Sequence, residues 1–221
     1  MIFKDRTVAG KLLAEKIVGY ANRSDVLVLA LPRGGVPVAF EVAKALNAPL
    51  DVFLVRKLGV PGQKELAVGA IADGGVRILN EDIIRDEKID ELAIEKVTVE
   101  EQQELQRRQN LYRGDRPKPV IQGRTIILID DGLATGATMR AAIAALHKQE
   151  PAKIVVGVPI SSPQTCQQIK SQVDEIICVE TPSPFYSVGF WYEKFPQTTD
   201  QEVRDLLNQG ANRQLPFAIG T

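Results

Sequence analysis

The sequence predicts an α/β fold with a doubly wound, mainly parallel sheet. Short runs rich in Val, Ile and Leu recur along the chain and alternate with stretches of helical character. Continuous apolar runs are typical of strands buried on both faces, and their alternation with helices is typical of parallel sheets. The 221 residues are 44% hydrophobic and 25% charged, which suits a globular domain with a sizeable core.

The predicted elements follow this alternation along the chain. Strands are predicted at 26–31, 52–55, 125–129, 153–158 and 175–179. Helices are predicted at 6–20, 36–46, 137–148, 163–172 and 200–207. Repeated strand and helix units of this kind bury both faces of the sheet.

The middle of the chain interrupts this order with a hairpin and a long polar helix. Apolar segments at 67–71 and 76–79 flank Ala72-Asp73-Gly74-Gly75, and Asp-Gly in that setting predicts a tight turn. The helix is predicted from about 86 to 110, with an apolar stripe formed by Ile89, Leu92, Ile94, Val97 and Leu105. Packing by one face explains the stripe, and a subunit contact is the alternative. The turn-rich segment 114–119 leads into the next strand.

The charge balance excludes several classes of partner. Lys and Arg number 27 against 28 Asp and Glu, so no strong positive field attracts DNA or anionic lipid. We therefore expect neither nucleic acid nor a membrane as a partner. The opening residues lack the apolar stretch of a signal peptide, and no apolar run approaches the roughly 20 residues of a membrane-spanning helix. We expect a cytoplasmic protein.

Cysteine and histidine are scarce. Cys166 and Cys178 are expected to be free thiols in a chain without an export signal. The single histidine, His147, falls near a predicted helix end, where the helix dipole favours a surface cation. Mechanisms that need a catalytic histidine, and histidine-rich metal sites, are therefore disfavoured.

The segment 125–138 carries the chemistry. A predicted buried strand ends in Asp130 and Asp131, and a loop of small residues then enters a helix. Free amides in the first turn of a helix attract phosphate, and the hydroxyls of Thr135 and Thr138 add donors. The two carboxylates can accept hydrogen bonds from a vicinal diol. The segment therefore suits a sugar phosphate, and its spacing matches neither a Walker A loop nor a dinucleotide-binding loop.

This segment closely resembles the 5-phosphoribosyl-1-diphosphate (PRPP) signature of type I phosphoribosyltransferases. Four apolar residues, two acids and then x-x-x-Thr-Gly-x-Thr make up the match. The resemblance implies that Asp130 and Asp131 hold the ribose hydroxyls and help to place magnesium through water. It implies that five consecutive residues bind the 5′-phosphate, namely Ala134, Thr135, Gly136, Ala137 and Thr138.

Two further segments resemble the pyrophosphate-binding parts of that family. Arg33-Gly34-Gly35 follows the first predicted strand, where glycines let amides turn toward an anion and the arginine adds charge. Arg56 and Lys57 end the second predicted strand, and 58–65 resembles the family's mobile loop. An ordinary strand-to-helix turn and solvated surface cations are the alternatives to pyrophosphate binding.

The aromatic residues are concentrated near the C-terminus. Six of them fall within eleven positions: Phe185, Tyr186, Phe190, Trp191, Tyr192 and Phe195. Val188-Gly189-Phe190 with Glu193 resembles the C-terminal hood of 6-oxopurine phosphoribosyltransferases. The resemblance implies acceptor binding by Tyr186, Val188, Phe190 and Trp191, with Tyr186 stacked on a base and Glu193 near magnesium through water. Packing of the hood onto the sheet, or a dimer surface, is the alternative.

The chain mixes features of two purine subfamilies. The 6-oxopurine enzymes have an aspartate immediately before Thr-Gly, where this chain has Ala134. The Leu-Ala-Thr-Gly loop and the Pro-Gly loop after Lys57 resemble adenine phosphoribosyltransferases, whose hood is N-terminal. The acceptor therefore stays open. The general base also stays open, and Glu65 and Glu193 are candidates by charge and rough position.

The resemblance implies a core at 1–180, with a helical insertion at about 81–115, and a hood with a terminal helix at 181–221. It implies Mg²⁺-dependent transfer of the phosphoribosyl group of PRPP to a nitrogen acceptor, a nucleobase in purine salvage, with release of pyrophosphate. Family members commonly form dimers, so we expect a homodimer. A non-catalytic PRPP or nucleotide sensor is the alternative, although the pyrophosphate loop favours an enzyme. Hydrolysis or phosphorolysis of a phosphoribosyl compound is a third possibility.

Overall fold

The computed structural model describes residues 1–60 and 63–212. Its strands are β1 Val26–Ala30, β2 Leu50–Val52, β3 Val55–Val60, β4 Gln63–Ala72, β5 Val76–Leu79, β6 Thr125–Ile129, β7 Lys153–Ile160 and β8 Glu175–Glu180. Its helices are α1 Arg6–Ile17, α2 Gly35–Leu46, α3 Glu81–Asp86, α4 Glu91–Arg113, α5 Ala137–His147, α6 Pro163–Lys170 and α7 Asp200–Asn212.

The main sheet is parallel. In the described part of the chain, five strands follow the order β2-β1-β6-β7-β8. β1 and β6 are neighbours, with Val26 beside Thr125 and Ala30 beside Ile129. The predicted doubly wound, mainly parallel sheet is confirmed.

Helices cover both faces of this sheet. On one face Leu13 of α1 and Val38 of α2 pack with Val28 of β1. On the other face Ile143 of α5 packs with Leu27 of β1. Successive residues of a strand point to opposite faces, so the unbroken apolar runs fill both layers. Among residues 1–60 and 63–212, no helix has the length and apolarity required to cross a bilayer.

A smaller antiparallel sheet has the order β3-β4-β5. β4 and β5 form a hairpin in which Ala72 is opposite Val76. The predicted hairpin is therefore confirmed. Gly74 and Gly75 both have positive φ in its turn, a backbone region that glycine adopts without steric cost.

The predicted strand at 52–55 is wrong. The chain leaves the parallel sheet after Val52, and β3 begins in the smaller sheet. The connecting residues Phe53 and Leu54 are buried, and the N–H of Leu54 donates to the carboxylate of Asp73 at 2.9 Å. Because the connector is as apolar as the strands on either side, the sequence pattern does not reveal the boundary.

The predicted helix from 86 to 110 is wrong at its start, because the chain breaks between α3 and α4. Lys88 adopts a positive φ of 51° in this break. Asp90 then caps α4 by accepting a hydrogen bond from the N–H of Leu92. Beginning a new helix turns α4 back along the smaller sheet, with which it makes contacts at β3 and β4.

One face of α4 is packed. Ile94 and Leu105 of the predicted stripe are buried, whereas Leu92 is 78% exposed. In the last turn the buried guanidinium of Arg113 pairs with Asp73 at 2.8 Å. The helix is thus fixed to the hairpin at its C-terminal end.

Candidate functional site

The predicted site segments meet at the carboxyl edge of the parallel sheet. The chain runs from β1 through α2 to β2 on one side, and from β6 through α5 to β7 on the other. The point between β1 and β6 is therefore a topological switch point, where open α/β sheets bind ligands. The segment between β8 and α7, residues 181–199, follows the same edge and is called the hood below.

The loops after β1 and β6 lie in direct contact. A Cβ atom on Gly34 would overlap the Asp131 carboxylate, and one on Gly35 would lie 2.8 Å from the carbonyl oxygen of Ile129. Only glycine permits so close an approach. The peptide bond between Pro32 and Arg33 in this loop is cis.

Asp131 is held from the N-terminus of the chain. The Nε of Arg6 donates to Oδ2 of Asp131 at 2.8 Å, and the two side chains are 10% and 15% exposed. Burial raises the pKa of the Asp131 carboxyl, and the Arg6 guanidinium opposes that rise. Burial, followed by the charge of Asp131, raises the pKa of Asp130 well above its usual value. Hydrogen-bond donors from a ligand would therefore stabilise both carboxylates.

The predicted 5′-phosphate loop joins β6 to α5. Gly136 precedes the helix with a positive φ of 69°, and Ala134, Thr135 and Thr138 are exposed. The hydroxyl of Thr165 in α6 donates to the carbonyl of Ala134 at 2.6 Å. This bond holds the loop to α6, while Ala134, Thr135 and Thr138 stay exposed.

The three cations predicted to bind pyrophosphate do not all point toward the same part of the structure. Arg33 lies 3.7 Å from Asp200 of α7, and Arg56 lies 2.6 Å from Glu101 of α4. Lys57 lines a different cavity, between the smaller sheet and α5, because adjacent residues of a strand point to opposite faces. The structure therefore brings Arg56, but not Lys57, to the loop after β1.

The hood contacts this edge through Tyr192, which is buried, and Phe195, which is partly buried. The hydroxyl of Tyr192 donates to the carbonyl of Asp131 at 2.6 Å. The ring of Phe195 stacks on Tyr192 at 4.9 Å and lies 3.8 Å below the Arg6 guanidinium. Val188 lies above Gly132, where a Cβ atom would approach it to 2.6 Å. Part of the aromatic cluster thus packs the hood onto the sheet.

The remaining hood residues are more open. Tyr186 and Phe190 are 69% and 55% exposed, with their ring centres 5.1 Å apart. Trp191 is half-buried and meets Phe190 edge-on at 5.5 Å. Glu193 is exposed, and its backbone N–H donates to Phe3. Glu65 is in β4, and its side chain lies outside the described residues.

Asp130 and Asp131 could hold magnesium if water and a bound substrate supplied the other ligands. Within the described ranges, no three His, Cys, Asp or Glu side chains are grouped closely enough to hold an ion. Mg²⁺ usually takes one or two protein carboxylates and completes its shell with water and substrate phosphates. Asp130 and Asp131 supply such a pair at the edge of the crevice.

Arg6 is the residue that sequence reasoning missed. It begins α1, where a cation is disfavoured by the helix dipole, and that unfavourable position is a signal for a tertiary partner. Its guanidinium contacts Asp131, the carbonyl of Pro196 and the ring of Phe195. It therefore joins the predicted ribose site to the hood.

This crevice brings a glycine loop against paired acids beside an open helix N-terminus, an arrangement that can bind a phosphorylated sugar. Residues 5–193 match the model of the phosphoribosyl transferase domain family, so the chain belongs to that family. Its fold is the type I phosphoribosyltransferase fold.

Named relatives agree with this assignment. The chain is 45% identical over 208 residues to proteins of Mycobacterium tuberculosis strains CDC 1551 and H37Rv, which are provisionally named phosphoribosyl transferases. The match covers 94% of this chain and 47% of each relative, so the chain spans about half their length.

Solved structures show the same fold. A crystal structure of a protein from Thermus thermophilus is 40% identical, with a TM-score of 0.84 over 95% of this chain and 99% of that one. A protein from Aquifex aeolicus is 14% identical, with a TM-score of 0.51 over 91% of this chain and 84% of that one. The second likeness concerns the fold alone.

Proposed function

We propose that the chain transfers the 5-phosphoribosyl group of PRPP to a nitrogen acceptor, a nucleobase, with Mg²⁺ bound and pyrophosphate released. The contact between Gly34 and Asp131 supports this proposal most directly. PRPP carries its diphosphate on C1, next to the ribose hydroxyls. A ligand bound at that contact can therefore meet the glycine loop and the acids at the same time.

In this proposal different residues bind the ribose, the 5′-phosphate and the diphosphate of PRPP. Asp130 and Asp131 accept hydrogen bonds from the ribose hydroxyls, and the amides and hydroxyls of 134–138 bind the 5′-phosphate. Arg33 and Arg56 stabilise the charge that gathers on the departing diphosphate. Mg²⁺, held by the two aspartates and the substrate, would add to that stabilisation.

The reaction breaks the bond between C1 and the diphosphate oxygen and forms a bond between C1 and the acceptor nitrogen. Positive charge develops on the ribose ring between these events, and the carboxylates beside it are already oriented. Fixed charges and dipoles of this kind lower a barrier without reorganisation during the reaction. A proton on the acceptor nitrogen leaves to Glu65, Glu193 or water.

The acceptor is assigned to the hood. Tyr186 offers a flat, exposed ring for stacking, and Phe190 and Trp191 extend the aromatic surface. Val188 lies beside the loop of Gly132. These contacts favour a flat, apolar heterocycle over an aliphatic amine.

The test incubates the protein with Mg²⁺, PRPP and a panel of purines, pyrimidines and other nitrogen heterocycles. We expect pyrophosphate release and nucleotide formation with at least one heterocycle, and neither product when the acceptor is omitted. PRPP binding without turnover of any acceptor would instead support a sensor. Pyrophosphate release in the absence of an acceptor would indicate hydrolysis.

A further inference from the structure

We propose that Arg108 of α4 is a third guanidinium of the pyrophosphate side of the site, beside Arg33 and Arg56. The inference rests on the proposed function and extends it to a helix that contains none of the recognised motifs. The ligand is a diphosphate group, either free or as part of PRPP.

The position of Arg108 carries this inference. Pro32, Arg56, Arg108 and Thr138 meet around one small cleft, whose other lining residues are apolar. Pro32 belongs to the loop after β1, Arg56 to β3 and Thr138 to the first turn of α5. Arg108 therefore shares a cleft with both predicted phosphate-binding loops. The side chains of Arg56 and Arg108 are 30% and 31% exposed, so a ligand in the solvent beside the cleft can reach both.

The spacing along α4 explains why this arginine faces the cleft. Glu101, Leu105, Arg108 and Tyr112 are separated by four, three and four positions, which puts them on one face of a helix. Leu105 also lines the cleft. The adjacent Arg107 is turned by about 100° around the axis, and its side chain is 59% exposed.

Each guanidinium has a carboxylate partner that a phosphate could replace. Arg56 pairs with Glu101 at 2.6 Å. Arg108 pairs with Glu104 at 2.8 Å, but Glu104 also binds Arg107 at 2.7 Å. Such partly exposed ion pairs contribute little stability. A diphosphate offers more charge and more oxygens in the forked geometry that arginine prefers, so exchange of partners favours the ligand.

Tyr112, one turn after Arg108 on α4, shares a partner with Arg33. Burial raises the pKa of Tyr112 to about 12, and the charges of Arg108 and Arg33 oppose that rise. The Tyr112 hydroxyl donates to Asp200 at 2.6 Å, and Asp200 is also the partner of Arg33. Both guanidiniums are thus within electrostatic range of one phenol.

The helix that holds Arg108 is anchored near its C-terminal end. Arg113, five positions further along α4, is buried and pairs with Asp51 at 3.0 Å and Asp73 at 2.8 Å. The Nη2 of Arg113 also donates to the carbonyl of Val52 at 2.6 Å. A side chain on an anchored helix keeps its binding geometry better than one on a loop.

The test compares Arg108→Gln with the matched control Arg107→Gln, which removes the same charge from the same Glu104. Affinities for inorganic pyrophosphate, PRPP and ribose 5-phosphate are measured by calorimetry with Mg²⁺ present. We expect Arg108→Gln to weaken pyrophosphate and PRPP by about tenfold, the size of a charge-assisted hydrogen bond. Ribose 5-phosphate affinity and the thermal midpoint should not change. Arg107→Gln should resemble wild type, and Arg108→Lys should restore part of the affinity.

The outcomes separate this inference from the proposed function. Equal pyrophosphate affinity in Arg108→Gln and wild type overturns the role of Arg108, whatever PRPP does. Equal weakening of all three ligands overturns it as well, because that pattern indicates a structural role. Pyrophosphate binding that depends on Arg108, in a protein that does not bind PRPP, would support this inference and overturn the proposed function.

Discussion

At the carboxyl edge of the sheet the Asp131 side chain is 15% exposed and paired with Arg6, whereas Tyr186 in the hood is 69% exposed. The first region is built from close backbone contacts and a buried ion pair. The second offers aromatic faces to solvent. Under the proposed function, the buried region binds the sugar phosphate with fixed geometry, and the exposed region offers the acceptor side chains that the fold does not need.

The hood itself is divided in the same way. Tyr192 and Phe195 pack beneath Arg6 and Asp131, and Tyr186 and Phe190 lie outside this packed group. The packed residues connect the hood to the acids, and under the proposed function the exposed residues are available to an acceptor. Variants of each kind should therefore separate binding of PRPP, stability of the fold and binding of the acceptor.

The largest effect is expected at the acids. Asp130→Asn combined with Asp131→Asn removes two charged acceptors from the ribose hydroxyls and should weaken PRPP binding about 1000-fold. Calorimetry with Mg²⁺ measures the change, and circular dichroism checks the fold. Asp25→Asn, at an exposed acid on the opposite edge, is the control. Unchanged affinity in the double variant would sink the assignment of the ribose site.

Arg6→Gln should give the next largest effect, on stability. Removing one partner of a nearly buried pair leaves the Asp131 carboxylate uncompensated and should lower the free energy of unfolding by about 3 kcal/mol. Urea denaturation measures this change. The control is Arg23→Gln, since Arg23 and Asp25 form an exposed pair that should contribute less than about 1 kcal/mol. Equal losses in the two variants would contradict the linking role of Arg6.

The sequence could predict features that depend on neighbouring residues, but not contacts between residues that are far apart in the chain. The strands β1 and β6 and the segment 125–138 are local patterns, so periodicity and residue spacing revealed them. Arg6 is 125 positions from Asp131, and its partner follows only from the way α1 packs against the sheet. Arg108 is equally dependent on the placement of α4.

Two further features of the structure differ from the sequence prediction for physical reasons. The strand boundary at Val52 was hidden because a buried connector is as apolar as a strand. Arg56 and Lys57 were predicted together as neighbours in sequence, but alternation along β3 separates their side chains. The sequence therefore indicated the loops proposed to bind phosphate, but not the side chains that approach these loops from distant parts of the chain.

Tyr192→Phe should have a smaller effect, at the junction of the two regions. It removes only the hydrogen bond from the hydroxyl to the carbonyl of Asp131, so the free energy of unfolding should fall by about 1 kcal/mol. Burial raises the pKa of this phenol, so it stays protonated and the bond persists throughout the neutral range. Thermal and urea unfolding measure the loss. A variant as stable as wild type would mean that the stacked ring alone holds the hood.

The smallest effect on the fold is expected where the hood is open. Tyr186→Ala should leave the unfolding midpoint unchanged, because its ring is mostly in water already. If the ring stacks on the acceptor, a loss of about 1 kcal/mol should raise the KM for the acceptor about fivefold and leave the KM for PRPP unchanged. Val120→Ala, equally exposed at 69% but outside the hood, should change neither constant. An unchanged acceptor KM would assign the stacking role to Phe190 or Trp191. A loss of stability would instead show that the exposed part of the hood also belongs to the packed structure.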